Sequence, residues 1–195
     1  MSDLPISVRL NPETGIPEQY DNHIQRSLSD LKGQFQNEVE YYRMMAEEDR
    51  LLYEVYELSR PHVSGELLTG VSVIHSGLIG DEFVMTKGHF HEVLETAECY
   101  YCLQGQGAMV LENPEGDCVV EPMQEGSIVY IPPRWAHRAV NTSLKDKFVF
   151  LFVYPAHSGH DYGTIESRGF RKLVLYKDGE AVIVENPGWS AQGSE

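Results

Sequence analysis

Gly88-His89-Phe90-His91 and, further on, Gly126-Ser-Ile-Val-Tyr-Ile-Pro132-Pro-Arg-Trp-Ala-His137-Arg-Ala-Val-Asn141 decide how this chain is read. In the first stretch two imidazoles stand two residues apart, and on a strand, where side chains alternate sides, both face one way while Phe90 faces the other. That geometry suits a chelating pair. Glu98 follows His91 after six intervening residues, and six more separate it from Gly105, so the loop can fold back and deliver a carboxylate beside the imidazoles. His137 would complete a set of three nitrogens and one oxygen suited to a divalent metal. Each element alone is weak, since a lone strand histidine is more often a hydrogen-bonded core or surface residue. The metal reading rests on the combination.

Around these stretches, beyond Leu52, short apolar runs are separated by turn residues, the texture of an all-β sandwich or barrel. Strands are predicted at Tyr53-Tyr56, Leu67-His75, Glu82-Met85, Cys99-Leu103, Ala108-Leu111, Ser127-Ile131, His137-Asn141, Phe148-Tyr154, Lys172-Lys177 and Glu180-Val184. Asn113-Pro-Glu-Gly116 and Lys177-Asp-Gly179 supply hairpin turns. No repeat of fixed period is present, which disfavours a propeller or solenoid and leaves a double-sheet jelly roll. Residues 1–20, with Pro5, Pro12, Gly15 and Pro17, read as an extended arm. From Asp21 to about Leu52 the spacing of Ile24, Leu28, Leu31 and Phe35 predicts helix, broken near Gly33 into two short pieces. The expected organisation is an arm with helices over residues 1–52 packing on a β-barrel over residues 53–195, the two forming one structural unit.

Fifteen Lys and Arg stand against 30 Asp and Glu, a formal charge of −15, which repels nucleic acid and anionic membranes. Neither is expected as a partner. A small anionic substrate is compatible with this charge if a metal ion and backbone N–H groups make one pocket locally positive. No run of about 18 apolar residues is present and the N-terminus lacks the basic and apolar sections of a signal peptide, so the expected location is the cytoplasm. Three cysteines, Cys99, Cys102 and Cys118, make an odd number that fits a reducing compartment. Cys99 and Cys102 would face opposite sides of their strand, which argues against a paired zinc or redox role.

The two stretches resemble the paired cupin motifs, with Gly126, Pro132, His137 and Asn141 in register. Phe83 and Arg134 stand where those motifs prefer glycine. Glu95 has the usual short spacing from His91, but only Glu98 has six residues between itself and a glycine, so Glu98 is taken as the ligand. Longer strings narrow the resemblance: Tyr53-Glu-Val-Tyr56, Thr86-Lys-Gly-His-Phe-His91, Tyr130-Ile-Pro-Pro-Arg-Trp-Ala-His-Arg138 and His160-Asp-Tyr-Gly-Thr164 look like the cupin-type glucose-6-phosphate isomerases typical of archaea. Glu13-Thr-Gly-Ile16, Leu28-Ser-Asp-Leu-Lys-Gly33 and Asn186-Pro-Gly-Trp189 extend the likeness over nearly the whole chain.

The resemblance implies an all-β cupin double-stranded β-helix, a jelly-roll barrel with an N-terminal helical arm. It implies a metal-dependent aldose-ketose isomerase of glycolysis and gluconeogenesis that interconverts glucose 6-phosphate and fructose 6-phosphate through a metal-stabilised enediolate. His89, His91, Glu98 and His137 would bind one divalent ion per subunit, Fe2+ foremost, with Mn2+, Ni2+, Zn2+ and Co2+ also accepted by this donor set. Tyr53, Ser72, Thr86, Gly88 and Tyr154 would hold the phosphate; Tyr100, His160 and Tyr162 would contact the sugar. Glu98 is the expected base, with His160 and Tyr100 as the other catalytic candidates. Because cupin edge strands need cover, a homodimer is expected. Two other classes use the same scaffold: a non-haem iron dioxygenase, and a non-catalytic sugar-binding cupin. Tyr56, Tyr101 and Trp135 are read as packing residues. His23, His62, His75 and His157 are read as ordinary, and Lys87 and Arg134 as either phosphate-facing or solvated.

Overall fold

The computed structural model describes residues 4–190. Along the chain run β1 (Asn22–Ser27), a 3-10 turn (Leu28–Leu31), α1 (Glu38–Glu47), β2 (Leu51–Leu58), β3 (Leu67–Ile74), β4 (Leu78–Ile79) and β5 (Glu82–Phe83). They are followed by β6 (Glu98–Gln104), β7 (Gln106–Glu112), β8 (Cys118–Gln124), β9 (Ile128–Ile131), β10 (Ala136–Asn141) and β11 (Phe148–Pro155). Last come α2 (Gly163–Arg168), β12 (Lys172–Lys177) and β13 (Glu180–Glu185). Runs this short bury their apolar sides only by pairing into sheets that face one another.

One layer is a six-stranded antiparallel sheet in the order β1-β2-β3-β11-β6-β9. The other consists of β10-β7-β8 and β13-β12-β5-β4, joined through the residues after β5, which bridge β10 at Met85↔Val140 and His89↔His137. The two layers make the double-stranded β-helix of the cupin fold. Between them Phe83, Phe148, Phe150, Ile74, Met109, Met123 and Ile131 are almost fully buried. The expected hairpins close β7 to β8 and β12 to β13; the second turns on Asp178 and Gly179, both at positive φ (51° and 94°), as a two-residue hairpin requires.

The N-terminal region departs from the helical expectation. Asn22–Ser27 is a strand paired antiparallel with β2, from Asn22↔Glu57 to Ser27↔Leu51. The i, i+4, i+7 spacing of Ile24, Leu28 and Leu31 comes from a strand running into a 3-10 turn whose two leucines are fully buried. Within residues 21–52 only Glu38–Glu47 is α-helical, started by Asn37, whose side chain accepts from Glu40 N at 3.0 Å. Ahead of β1, Leu10 and Ile16 lie on the outer face of the large sheet against Tyr56, Val71, Val73 and Val149.

Candidate metal centre and its cavity

Period-two alternation on the large sheet sends one set of side chains inward to a cavity of about 370 Å³. β1 contributes Asn22, Ile24 and Arg26; β2 contributes Tyr53, Val55 and Glu57; β3 contributes Leu68 and Ser72. β11 adds Phe150, Phe152 and Tyr154, and β6 adds Glu98 and Tyr100. The opposite wall is Thr86 to His89 with His137, and the loop after β11 supplies His160 and Tyr162. That loop is held by a two-way backbone pairing, Phe90 N to Asp161 O at 3.0 Å and Asp161 N to Phe90 O at 2.8 Å. Thus Phe90, pointing away from the cavity, anchors the segment that carries His160.

Gly88 is at φ 75°, and a β-carbon there would lie 2.6 Å from the Phe170 ring and 3.1 Å from His137 O. Only glycine lets the chain pass this close to β10. Just beyond it, His89 and His137 exchange backbone hydrogen bonds (3.2 and 3.0 Å), which places their rings with centroids 4.4 Å apart. The Gly-His-Phe-His stretch is therefore a bridge onto β10 rather than a regular strand.

His89, His91, Glu98 and His137 each offer one ligand atom, and these atoms all lie within 4.8 Å of one another. Their hydrogen bonding leaves lone pairs that want a cation. His91 Nδ1 lies 2.8 Å from Thr96 Oγ1, whose own hydrogen goes to Val93 O at 2.6 Å. The threonine oxygen can then only accept, so His91 carries its proton on Nδ1 and Nε2 is bare. That bare nitrogen faces Glu98 Oε2 at 3.1 Å. His137 Nε2 stands 3.0 Å from the same oxygen without an aligned hydrogen bond, and His89 Nε2 is buried with no partner. Buried acceptors facing one another repel unless a cation lies between them. The residues fit a divalent metal.

Burial acts to raise the Glu98 carboxyl; a proton held at His137 or His91 outweighs burial and holds the carboxyl at about 2, and a cation seated among the same groups acts in the same sense. Glu98 is thus an anion at neutral pH. Burial, and then the Glu98 charge, push the Tyr100 phenol well above its ordinary value. Burial lowers His160 to about 4, leaving a neutral imidazole that stacks on Tyr162 with ring centroids 5.8 Å apart. Burial also pushes the Tyr53 phenol up to about 12 and keeps Tyr154 and Tyr162 above the ordinary range. Tyr53, Tyr154 and Tyr162 accordingly offer the cavity neutral hydroxyl donors.

All of Tyr53, Ser72, Thr86, Gly88, Tyr100, Tyr154, His160 and Tyr162 border the one cavity. Sequence reasoning missed Arg26 and Glu57, and set His62 aside as ordinary although it too borders the cavity. Lys87 also faces it, its Nζ paired with Glu166 at 2.9 Å, whereas Arg134 lies elsewhere, paired with Glu95 and Glu115. His23 and His75 flank Glu54 on the outside of the sheet. Trp135 packs at the core margin and Tyr101 is exposed on β6. The three cysteines are free thiols, Cys102 and Cys118 buried and Cys99 half-buried.

A glucose-6-phosphate isomerase family profile matches residues 25–189. The glucose-6-phosphate isomerase of Thermococcus litoralis is 45% identical over 185 residues, covering 95% of this chain and 96% of that protein. The enzyme of the same name from Pyrococcus horikoshii is 43% identical over 95% of this chain and 97% of its own. A putative glucose-6-phosphate isomerase 1 of Rhizobium meliloti is 34% identical, over 95% and 87% respectively. Among solved structures, a Klebsiella pneumoniae protein with a double-stranded beta-helix domain overlaps 54% of this chain and 79% of its own at 17% identity and a TM-score of 0.42. With its profile running from β1 to the C-terminal Asn-Pro-Gly-Trp, the chain belongs to the glucose-6-phosphate isomerase family.

Proposed function

We propose that the chain interconverts glucose 6-phosphate and fructose 6-phosphate at this cavity, with His89, His91, Glu98 and His137 holding one divalent ion, Fe2+ foremost. The observation that carries the reading is the convergence of bare imidazole nitrogens on the Glu98 carboxylate, at a cavity that the hydroxyls of Tyr53, Ser72, Thr86 and Tyr154 also border. When bound, the ion supplies Lewis acidity toward the sugar's carbonyl oxygen and offsets the charge of an enediolate, lowering the barrier by several kcal/mol.

The remaining work falls to side chains. Tyr53, Ser72, Thr86 and Tyr154, with the backbone of Gly88, hold the phosphate by hydrogen bonds, and Lys87 adds charge nearby. Tyr162 orients the sugar. Glu98, ionised and bordering the cavity beside Tyr100, takes the proton from one carbon and returns it to its neighbour. Tyr100 stays protonated and steadies the carboxylate. His160, neutral and bordering the cavity, moves the proton needed to open the sugar ring.

The same reading places the protein in the cytoplasm as a homodimer. An apolar groove on the outer sheet face, bordered by Ile6, Val8, Leu10, Leu58, Leu67 and Leu151, supports pairing with a second copy. Among the described residues no helix is long and apolar enough to cross a membrane.

The test is a coupled assay for glucose 6-phosphate formed from fructose 6-phosphate, run before and after chelation, with mannose 6-phosphate alongside. Activity should vanish on chelation and return with metal. Turnover unchanged by chelation would sink the proposal.

A further inference from the structure

A second, smaller cavity of about 160 Å³ shares no lining residue with the first. It lies between Gly33 to Gln36, Arg138 of β10, the end of α2 and Asn186 to Gly188. Two guanidinium groups border it. Arg138 is only 3% exposed and has no carboxylate within ion-pair distance among the described residues. Its Nε and Nη2 donate to Lys87 O and Gln34 Oε1, its face covers the Phe170 ring at 4.9 Å, and its Nη1 makes no hydrogen bond among the described residues. Arg168, its side chain 8% exposed, pairs through Nη2 with Glu112 Oε1 at 2.9 Å, and its Nε is buried without a partner among the described residues.

The nearby acids do not complete the balance. Glu112 already accepts from Arg168, from Trp189 Nε1 at 3.0 Å and from Arg171 N at 2.6 Å. Glu82, pushed up to about 7 by burial, is spent on Gln36 N at 2.6 Å. A buried guanidinium with unused donors is costly unless an anion or water meets them, and its planar fork matches a phosphate oxygen pair.

We propose that this cavity binds a tetrahedral oxyanion, the phosphate group of inorganic phosphate or of a small phosphomonoester, held by Arg168 Nε and Arg138 Nη1. Its occupation reaches the first cavity through Lys87: Arg138 holds the Lys87 carbonyl, and Glu166, which borders this second cavity, is paired with the Lys87 ammonium at 2.9 Å. The site stands on its own residues and does not depend on the isomerase assignment.

Crystals of the metal-loaded protein soaked in selenate test it by anomalous scattering. A peak within hydrogen-bond distance of both arginines is expected, and at least a tenfold loss of occupancy in Arg168→Lys, which keeps a cation for Glu112 but has no Nε–H. Competition separates the two sources: displacement at lower concentration by glycerol 3-phosphate than by inorganic phosphate identifies a phosphomonoester, and the reverse order the free ion. Water alone in this cavity of the wild-type crystal overturns the proposal, whether or not the lysine variant folds, as does a peak that appears only in the first cavity.

Discussion

Two clusters of the same residue types occupy opposite faces of one sheet and behave differently. On the inner side, His91, His137 and Glu98 are buried and His89 is half-buried, and among the described residues the Nε2 atoms of His89 and His137 have no hydrogen-bond partner. On the outer side, His23 and His75 flank Glu54, but each meets its own carboxylate oxygen, Oε2 at 2.9 Å and Oε1 at 3.1 Å, and Tyr56 adds its hydroxyl. His23 also stacks on the Tyr56 ring at 4.3 Å. The outer cluster is satisfied by its own hydrogen bonds, the inner one is not. Residue type therefore does not make a metal site; converging lone pairs that no donor of the protein meets do.

That contrast breaks most easily at the ligands. His89→Ala or His137→Ala should abolish bound metal and lower isomerase activity by about a thousandfold or more, while His23→Ala and His75→Ala leave metal content and kcat within about twofold, small against the tenfold steps that matter here. Elemental analysis beside the coupled assay reads both. Should the outer variants lose metal as well, the distinction drawn above fails.

A smaller effect is expected where the cavity acts without ligating. His160→Ala should lower kcat by about a hundredfold while the metal is retained, within the usual span for a lost acid or base. Loss of metal in that variant would make His160 a ligand instead.

Thr96 sharpens the comparison further, because it fixes which nitrogen of His91 is bare. Thr96→Val should weaken metal affinity by about 10- to 100-fold and Thr96→Ser should restore it, measured by competition with a chelator.

The smallest effect belongs to Glu54. Burial raises its carboxyl, but hydrogen bonds from Tyr56, His23 and His75 outweigh this and hold it below the ordinary 4.5. The unfolded chain thus takes up this proton first as pH falls, so the contribution is full above 4.5 and is lost as pH drops through the lower folded value. Glu54→Gln should cost about 1 kcal/mol at neutral pH and flatten that part of the acid-unfolding profile, with metal content unchanged.

Most of the barrel was legible because its strands carry plain alternation and its hairpins carry Asp178, Gly179 and Gly116 where positive φ is needed. The region before Leu28 was not. Its inward side presents Asn22, Ile24 and Arg26 to a polar cavity, so the apolar alternation that marks a strand is absent. β8 was overlooked for a related reason: it is an edge strand with Pro122 and Glu121, tolerated because the outer side of an edge needs no ladder donor. The inner His and Glu set could be proposed from spacing, whereas His62 and Arg26 reach the same cavity from a loop and a remote strand, and no local pattern marks them.

The pairing of β1 along the rim of the large sheet has a practical outcome for anyone shortening the polypeptide. A version beginning at Leu28 would shed a piece of the reaction chamber's own wall, leaving the edge of β2 bare to solvent and to other sheets. Such a trimmed protein should clump and grip its sugar poorly even with every metal-binding side chain still in place.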